Sequence, residues 1–230
     1  MKALLFFMLT LPSVHAVSLD KFNCSKAVKE TIHDWQGQEE WTKTQLGPKD
    51  VYYASPAGAV GEWIIIKAIP RGTGLSKITP DGRIEVSFSG DKCRKETKKF
   101  AQPKALPGHI SDKELQEFVL NQKQGLIYLW SANEPVSQKS IPEIQKAASE
   151  LKLPLMILLD KDVTKGQYQK LKKELGEIVT KRADTVEFKM RSIDTFPTLL
   201  IFKNEKLLPR MIKGHKQADE FEKEISQLLK

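Results

Sequence analysis

Cysteine is scarce in this sequence of 230 residues, which has only two, Cys24 and Cys93, and none after position 93. A protein that exchanges thiols and disulfides needs one thiolate to attack and a second sulfur to resolve the mixed disulfide. The second half of the chain therefore cannot perform this chemistry with its own residues. The four histidines are scattered, no motif predicts a bound metal, and no cofactor is expected.

Long apolar runs are also missing after the first residues of the chain. Lys2, an apolar run at 3–11, Pro12 and the small residue Ala16 are typical of an export signal. The run is about half as long as a helix that spans a bilayer, which disfavours the alternative of an uncleaved anchor. We expect a signal peptide at 1–16, a mature chain that starts at Val17 without a transmembrane segment, and a periplasmic or secreted product.

Basic residues outnumber acidic ones, with a formal net charge of +8 at pH 7 and one unit less once Lys2 is removed. A positive exported protein is attracted to anionic surfaces such as cell-wall polymers or lipid head groups, whereas nucleic acid is an unlikely partner outside the cytoplasm. The lysines are scattered over many segments, so the excess also has a simple interpretation as a solvated surface. An anionic envelope surface stays open as a partner.

A polar stretch with two prolines at 101–110 predicts a linker between an N-terminal domain at 17–100 and a C-terminal domain at 111–230. The first half has an amphipathic pattern from about Leu19 to Trp35, with a predicted buried stripe. The stripe consists of Phe22, Val28, Ile32 and Trp35. Strands are predicted at 51–54, 63–69 and 84–88, with a turn at 79–83 that joins the last two. These elements predict a small α+β domain.

Both cysteines lie in this first half, and in an oxidising compartment such a pair predicts a disulfide. Closing so long a loop stabilises a fold by about 4 kcal/mol in the chain-entropy model. The alternative is a catalytic or redox-sensing pair, and Lys92, Arg94 and Lys95 beside Cys93 keep that alternative open.

The second half alternates strands and helices. A capping box at Ser111 and Glu114 opens a helix to about Gln122. The further predicted elements are a strand at 125–130, a helix at 134–151, a strand at 155–159, a helix at 164–181 that turns Ile178 and Val179 inward, a strand at 198–202, a hairpin at 203–206, a strand near 207–213 and a closing helix around Phe221. A strand, a long helix and a strand form the βαβ unit of a parallel sheet covered by helices.

Four segments of this half carry a specific resemblance. They are Leu129-Trp130-Ser131, Pro142-Glu143-Ile144-Gln145, the run from Phe196-Pro197 to Phe202, and Gly214 before the last helix. In this order they resemble thioredoxins, most closely the exported cytochrome-maturation type. The resemblance implies a mixed sheet flanked by helices. It also places the two catalytic cysteines of the family at Glu134 and Ser137, and its buried acid at Tyr128.

The resemblance further implies a cis peptide bond before Pro197 and a neighbouring backbone that pairs with an extended peptide. The predicted peptide groove is formed by Trp130, Asn133, Glu134, Thr195, Phe196, Pro197 and His215. The alternative is that Trp130 and Phe196 only pack the core. Glu134 stabilises a helix start whether or not it has a function. Ser137 as a nucleophile would need His215 as its base, and no acid is available to orient that histidine.

These observations predict an exported, non-catalytic thioredoxin-like protein that binds an extended peptide or protein partner, with no catalytic residue. One alternative is a thiol-disulfide redox protein that uses Cys24 and Cys93. Another is a basic, envelope-associated structural protein.

Overall fold

The computed structural model describes residues 18–37, 41–45, 51–102, 104–176, 181–191, 193 and 195–230. The predicted signal peptide, the expected start at Val17 and the predicted inward residues Ile178 and Val179 lie outside this range. Within it, no helix has the length and apolar character needed to cross a membrane.

The N-terminal half is one helix packed on an antiparallel sheet, which confirms the predicted α+β class. A short 3-10 turn at Leu19–Lys21 precedes the helix α1 at Ser25–Asp34. The strands are β1 Thr42–Gln45, β2 Val51–Pro56, β3 Trp63–Ile69, β4 Gly72–Thr79, β5 Gly82–Ser89 and β6 Arg94–Ala101. They form a meander in sequence order, and each strand pairs with the next.

The side chains on the two faces of this sheet pack in two different hydrophobic clusters. On one face, α1 buries Val28 and Ile32 against Ile64, Ile66 and Phe88. Phe22 of the predicted stripe is also buried in this cluster, and Trp35 is partly buried. The opposite face, with Ala54, Trp63 and Ile65, packs against Met190 of the second half. The sheet therefore lies between α1 and the C-terminal half.

The predicted disulfide is present, with Cys24 at the N-cap of α1 and Cys93 one residue before β6, Cα atoms 5.6 Å apart and 69 positions apart in sequence. Two expectations for this half are wrong. The helix begins at Ser25 rather than Leu19, because Cys24 has the left-handed φ of 61°. The turn at 79–83 joins β4 to β5, since an additional strand lies between the two predicted ones.

The C-terminal half is a second sheet between two helix layers. Its elements are α2 Asp112–Leu120, β7 Gln124–Trp130, α3 Pro135–Lys139, α4 Ile141–Glu150, β8 Leu155–Asp160, α5 Lys165–Leu175, β9 Lys181–Ala183, α6 Val186–Met190, β10 Thr198–Lys203, β11 Lys206–Leu207, β12 Ile212–Lys213 and α7 Ala218–Leu229. The strand order is β11-β10-β7-β8-β9, and β12 pairs with β10. β7, β8 and β9 are parallel, whereas β10 runs antiparallel to β7. The predicted mixed sheet flanked by helices is confirmed.

Each face of this sheet has its own core. Tyr128 and Trp130 of β7 pack on one side with Ile144 of α4 and Phe221 of α7. The intervening β7 residues Ile127 and Leu129 pack on the other side with Leu115 and Val119 of α2 and with Phe188 of α6. Because successive side chains of a strand point to opposite faces, β7 is apolar throughout and buried on both.

The helix boundaries differ from the predictions at two places. The predicted helix at 134–151 is divided at Ser140 into α3 and α4, because Pro142 has no N–H to continue the first helix. The predicted helix at 164–181 ends earlier, since Lys181 already belongs to β9. The capping box at Ser111 and Glu114 is present as predicted.

Candidate functional site

The loop between β7 and α3 is held by hydroxyl and backbone groups where the family resemblance places two thiols. The Ser131 amide donates to Ser137 Oγ at 3.1 Å, and the Ser131 hydroxyl donates to Asp160 Oδ2 at 3.2 Å. Ser131, Ser137 and Asp160 are all buried. The backbone N–H of Asn133 donates to Ser131 Oγ at 3.3 Å and closes the turn. Ser137 is thus engaged in loop structure and is not displayed to solvent.

Tyr128 occupies the position that the resemblance assigns to a buried acid. Its hydroxyl donates to the Ser137 carbonyl at 3.0 Å, and its side chain is fully buried. Burial raises the pKa of the Tyr128 hydroxyl well above the usual 10.0, so it stays protonated and keeps its role as a donor. At this position the chain has a structural donor in place of an ionisable acid.

Glu134 is the N-cap of α3, and its side chain makes no capping hydrogen bond. It is exposed, as are the neighbouring Asn133 and Pro135. Val136 in the first turn of α3 is 49% exposed, so an apolar side chain lies open to solvent beside Glu134. Sequence reasoning did not single out Val136, although it follows Pro135 directly at the helix start.

His215 reaches α3–α4, but its partner is not Ser137. Its Nδ1 contacts Ser140 Oγ, and the Gln217 side-chain amide lies 3.3 Å from its Nε2. The Ser140 hydroxyl also donates to the Val136 carbonyl at 3.0 Å, so its own hydrogen is not available to His215. This network assigns the proton of His215 to Nδ1, with Ser140 Oγ as its acceptor. The serine-histidine pair that a hydrolase would require at Ser137 is not formed.

The loop before β10 lies beside this region. The Phe196-Pro197 peptide bond is cis, as the resemblance implies, and the Pro197 carbonyl accepts from Gly214 N at 2.9 Å. In the β7–β10 ladder Thr198 pairs with Leu129. The ladder ends at this pair, beside the cis bond.

The predicted groove residues separate into two groups. Asn133, Glu134, Thr195 and His215 are exposed and Phe196 is partly exposed, so they form a surface at this end of the sheet. Trp130 is 0% exposed and Pro197 is buried. The expectation that the Trp130 side chain lines the groove is wrong, because it points into the core between β7 and α4.

The disulfide is a separate chemical feature in the N-terminal half. Both cysteines are partly buried, and Cys24 lies at the N-terminus of α1. No group of three or more potential metal ligands occurs among the residues that the structure describes.

No family model matches this chain, and no curated protein matches it. Three of the solved structures to which it is similar are a thioredoxin from Aeropyrum pernix, MTB DsbF in mixed oxidised and reduced forms, and a DsbF homologue from Corynebacterium diphtheriae. The Aeropyrum protein is 12% identical with a TM-score of 0.36, and the match covers 52% of this chain and 84% of that one. MTB DsbF is 17% identical with a TM-score of 0.37 and coverages of 46% and 81%. The Corynebacterium protein is 13% identical with a TM-score of 0.36 and coverages of 46% and 71%.

At these identities and TM-scores the similarities carry no functional argument, so the fold follows from the chain itself. The parallel β7–β8 pair, the antiparallel β10 after a cis proline, the hairpin to β11 and the closing helix α7 occur in the order that the resemblance implies. The C-terminal half of this chain has a thioredoxin-like fold.

Proposed function

We propose that this chain is an exported, non-catalytic thioredoxin-like protein that binds an extended peptide or protein segment at the surface formed by Asn133, Glu134, Val136, Thr195, Phe196 and His215. We refer to these six residues as the loop surface. The observation that supports the proposal best is the closed Ser131–Ser137–Asp160 network beside that surface. It leaves an exposed recognition edge without a reactive group.

Two observations support the absence of catalytic chemistry, namely the state of the two cysteines and the surroundings of Ser137. The two cysteines of the sequence are bonded to each other in the other half of the chain. Ser137 Oγ accepts a backbone N–H at 3.1 Å and is buried, and the nearby histidine contacts Ser140 instead. A serine nucleophile requires a base within hydrogen-bond reach, and none of the described side chains makes that contact with Ser137 Oγ.

Binding can use two kinds of contact at the loop surface. An extended segment can pair with the backbone of Phe196, the residue before the cis proline, by adding a strand. The exposed side of Val136 and the partly exposed Phe196 offer apolar contact, while Asn133 and Glu134 supply polar groups. Export is part of the proposal, because the disulfide is of the kind that persists in oxidising compartments.

Selection from a library of displayed twelve-residue peptides on the mature chain, followed by titration of the selected peptide, tests this proposal. We expect Val136→Asp and Phe196→Ala each to weaken binding of that peptide by about tenfold or more. Leu120→Asp is the matched control, because Leu120 is a similarly exposed apolar residue on α2 and outside the loop surface. Equal losses in all three variants would contradict the proposal, and so would turnover in an insulin reduction assay.

A redox function of Cys24 and Cys93 is the second candidate, and one observation favours it. The disulfide is partly exposed, lies at a helix N-terminus and is followed by the cations Arg94 and Lys95, a setting that stabilises a thiolate. Titration in graded redox buffers separates the two functions. A pair that stays oxidised to below roughly −300 mV is structural, whereas a potential near that of exchange enzymes would favour the redox function.

A further inference from the structure

The edge strand β6 differs from the other strands of the N-terminal sheet. All eight of its residues, Arg94–Ala101, are exposed, although the β5 residues Val86 and Phe88 beside it are buried. Within the described part of the chain, β6 pairs with β5 alone. No strand of the described residues covers its outer edge, so an added strand could pair there.

The hydrogen bonds at the two ends of β5 show which backbone groups of β6 point outward. Gln102 N donates to Asp81 O, and Gly90 N donates to Arg71 O on the other side of β5. Because bonded and non-bonded pairs alternate along an antiparallel ladder, Phe100, Lys98, Glu96 and Arg94 bond to β5. The N–H and C=O groups of Lys95, Thr97 and Lys99 then face away from the sheet.

The charge of β6 indicates which kind of strand can pair with its outer edge. β6 carries Arg94, Lys95, Lys98 and Lys99 against the single carboxylate of Glu96. A second copy that paired antiparallel about Thr97 would place Lys95 opposite Lys99 and Glu96 opposite Lys98, each twice, so its like-charge and opposite-charge pairs offset each other. An acidic strand would meet four cations and only one carboxylate, so it fits this edge better than a second copy does.

A cleft adjoins the C-terminal end of β6. It has a volume of about 580 Å³ and is lined by Phe100, Ile78, Leu106, Lys104, Val186 and Lys189, among others. Phe100 is 42% exposed and Leu106 is 63% exposed at its rim. A chain that followed β6 would meet apolar side chains and lysines at this end, with Asp112 and Asp184 also in the lining.

We propose that the outer edge of β6 is a docking site for an acidic, extended segment of a partner protein, which adds as a seventh strand and places an apolar side chain in the adjoining cleft. The site is distinct from the loop surface, with which the cleft and β6 share no residue. Backbone pairing at Lys95, Thr97 and Lys99 supplies affinity, and the four cations supply preference for Asp and Glu.

The probe is a fluorescein-labelled peptide of about ten residues that alternates Glu with Val or Thr and ends in Phe. We expect saturable binding by fluorescence anisotropy, and loss of binding when Lys replaces Glu or when alternate peptide nitrogens are methylated. Thr97→Pro removes one outward N–H and spares the ladder to β5, so it should abolish binding, while Thr97→Ala should leave the affinity within about twofold. The methylated peptide gives the same information without any change to the protein fold.

Generic attraction to a basic protein is excluded by a charge-matched pair of variants. Lys95→Glu/Lys99→Glu and Lys172→Glu/Lys173→Glu change the net charge equally, but only the first lies on β6, since Lys172 and Lys173 are exposed on α5. We expect at least about a tenfold loss for the first and less than about twofold for the second. Equal losses, full binding by Thr97→Pro or by the methylated peptide, or no saturable binding of the probe would each overturn the proposal. Phe196→Ala should leave this affinity unchanged, which separates failure here from failure at the loop surface.

Discussion

Among single residues, Tyr128 links the sheet most directly to the loop that carries the substituted cysteine positions. Its buried hydroxyl donates to the Ser137 carbonyl at 3.0 Å, next to the Ser131–Ser137 bond. In the unfolded chain the same hydroxyl ionises with the ordinary pKa of 10.0, whereas burial raises the pKa in the folded protein. The stabilisation from the protonated group is therefore complete below pH 10 and is lost as the pH rises further.

We expect Tyr128→Phe to lower the free energy of unfolding by about 1 kcal/mol at pH 7, because one buried carbonyl loses its side-chain donor. Above pH 10 the free energy of unfolding of the variant should also fall less steeply than that of the wild type. Urea unfolding between pH 7 and pH 11 measures both effects. Tyr168→Phe is the comparison, since Tyr168 lies partly exposed on α5. If the two variants gave the same pH dependence, Tyr128 would not be the group responsible.

At the scale of elements, the disulfide connects the start of α1 to the start of β6 across the N-terminal sheet. Opening it frees a loop of 69 residues in the unfolded chain. We expect Cys24→Ser/Cys93→Ser to lower the free energy of unfolding by about 4 kcal/mol, with an effect on the helix α1 larger than on the C-terminal sheet. Hydrogen exchange of α1 and of β7 in the variant and the wild type measures that difference. Equal loss of protection in both would contradict a local role.

Elements with strong periodic or capping signals were predictable from sequence. β3 occurs at the predicted residues 63–69, and α2 follows its capping box at Ser111. The missed strands lack that signal. Five of the eight residues of β6 are charged and all eight are exposed, so its order derives from pairing with β5 and not from burial. β9 has only three residues and is fixed by its parallel pairing with β8.

The candidate site was predictable in position but not in detail. The resemblance implied that Ser137, Phe196 and His215 lie at one loop region, and the structure shows His215 in contact with Ser140, three residues after Ser137. The resemblance counted Trp130 among the groove residues, with core packing as the alternative, because an apolar strand buried on both faces does not show at which residue the burial ends. The exposure of Val136 depends on where the helix α3 begins, and sequence locates such a boundary poorly.

At the scale of the whole molecule, the two sheets meet through α6. Glu187 of α6 is 3% exposed, and its Oε2 accepts from Gly61 N at 2.9 Å and from Trp63 Nε1 at 2.8 Å. Its Oε1 pairs with Arg191 Nε at 2.6 Å. Met190 from the same helix packs on Trp63 and Ile65. One carboxylate therefore satisfies donors from both halves at a buried contact.

A second set of bonds reinforces this contact. Asp112 at the start of α2 accepts from Val186 N at 2.8 Å and from the Gln102 side chain at 3.1 Å. The Gln116 amide donates to the Val60 carbonyl at 3.1 Å. These bonds join α2 and the residues before it to α6 and to the N-terminal half.

We expect Glu187→Ala to lower the free energy of unfolding by about 3 kcal/mol, because it removes the shared acceptor of Gly61 N, the Trp63 indole N–H and Arg191 Nε at a largely buried contact. Urea unfolding followed by tryptophan fluorescence measures this change. Glu117→Ala is the matched control, since Glu117 is exposed on α2, and it should change stability by less than about 0.5 kcal/mol. A loss as small as that of the control would show that the halves hold together without Glu187. The apolar contact of Met190 with Trp63 and Ile65 would then be the dominant link between the two sheets.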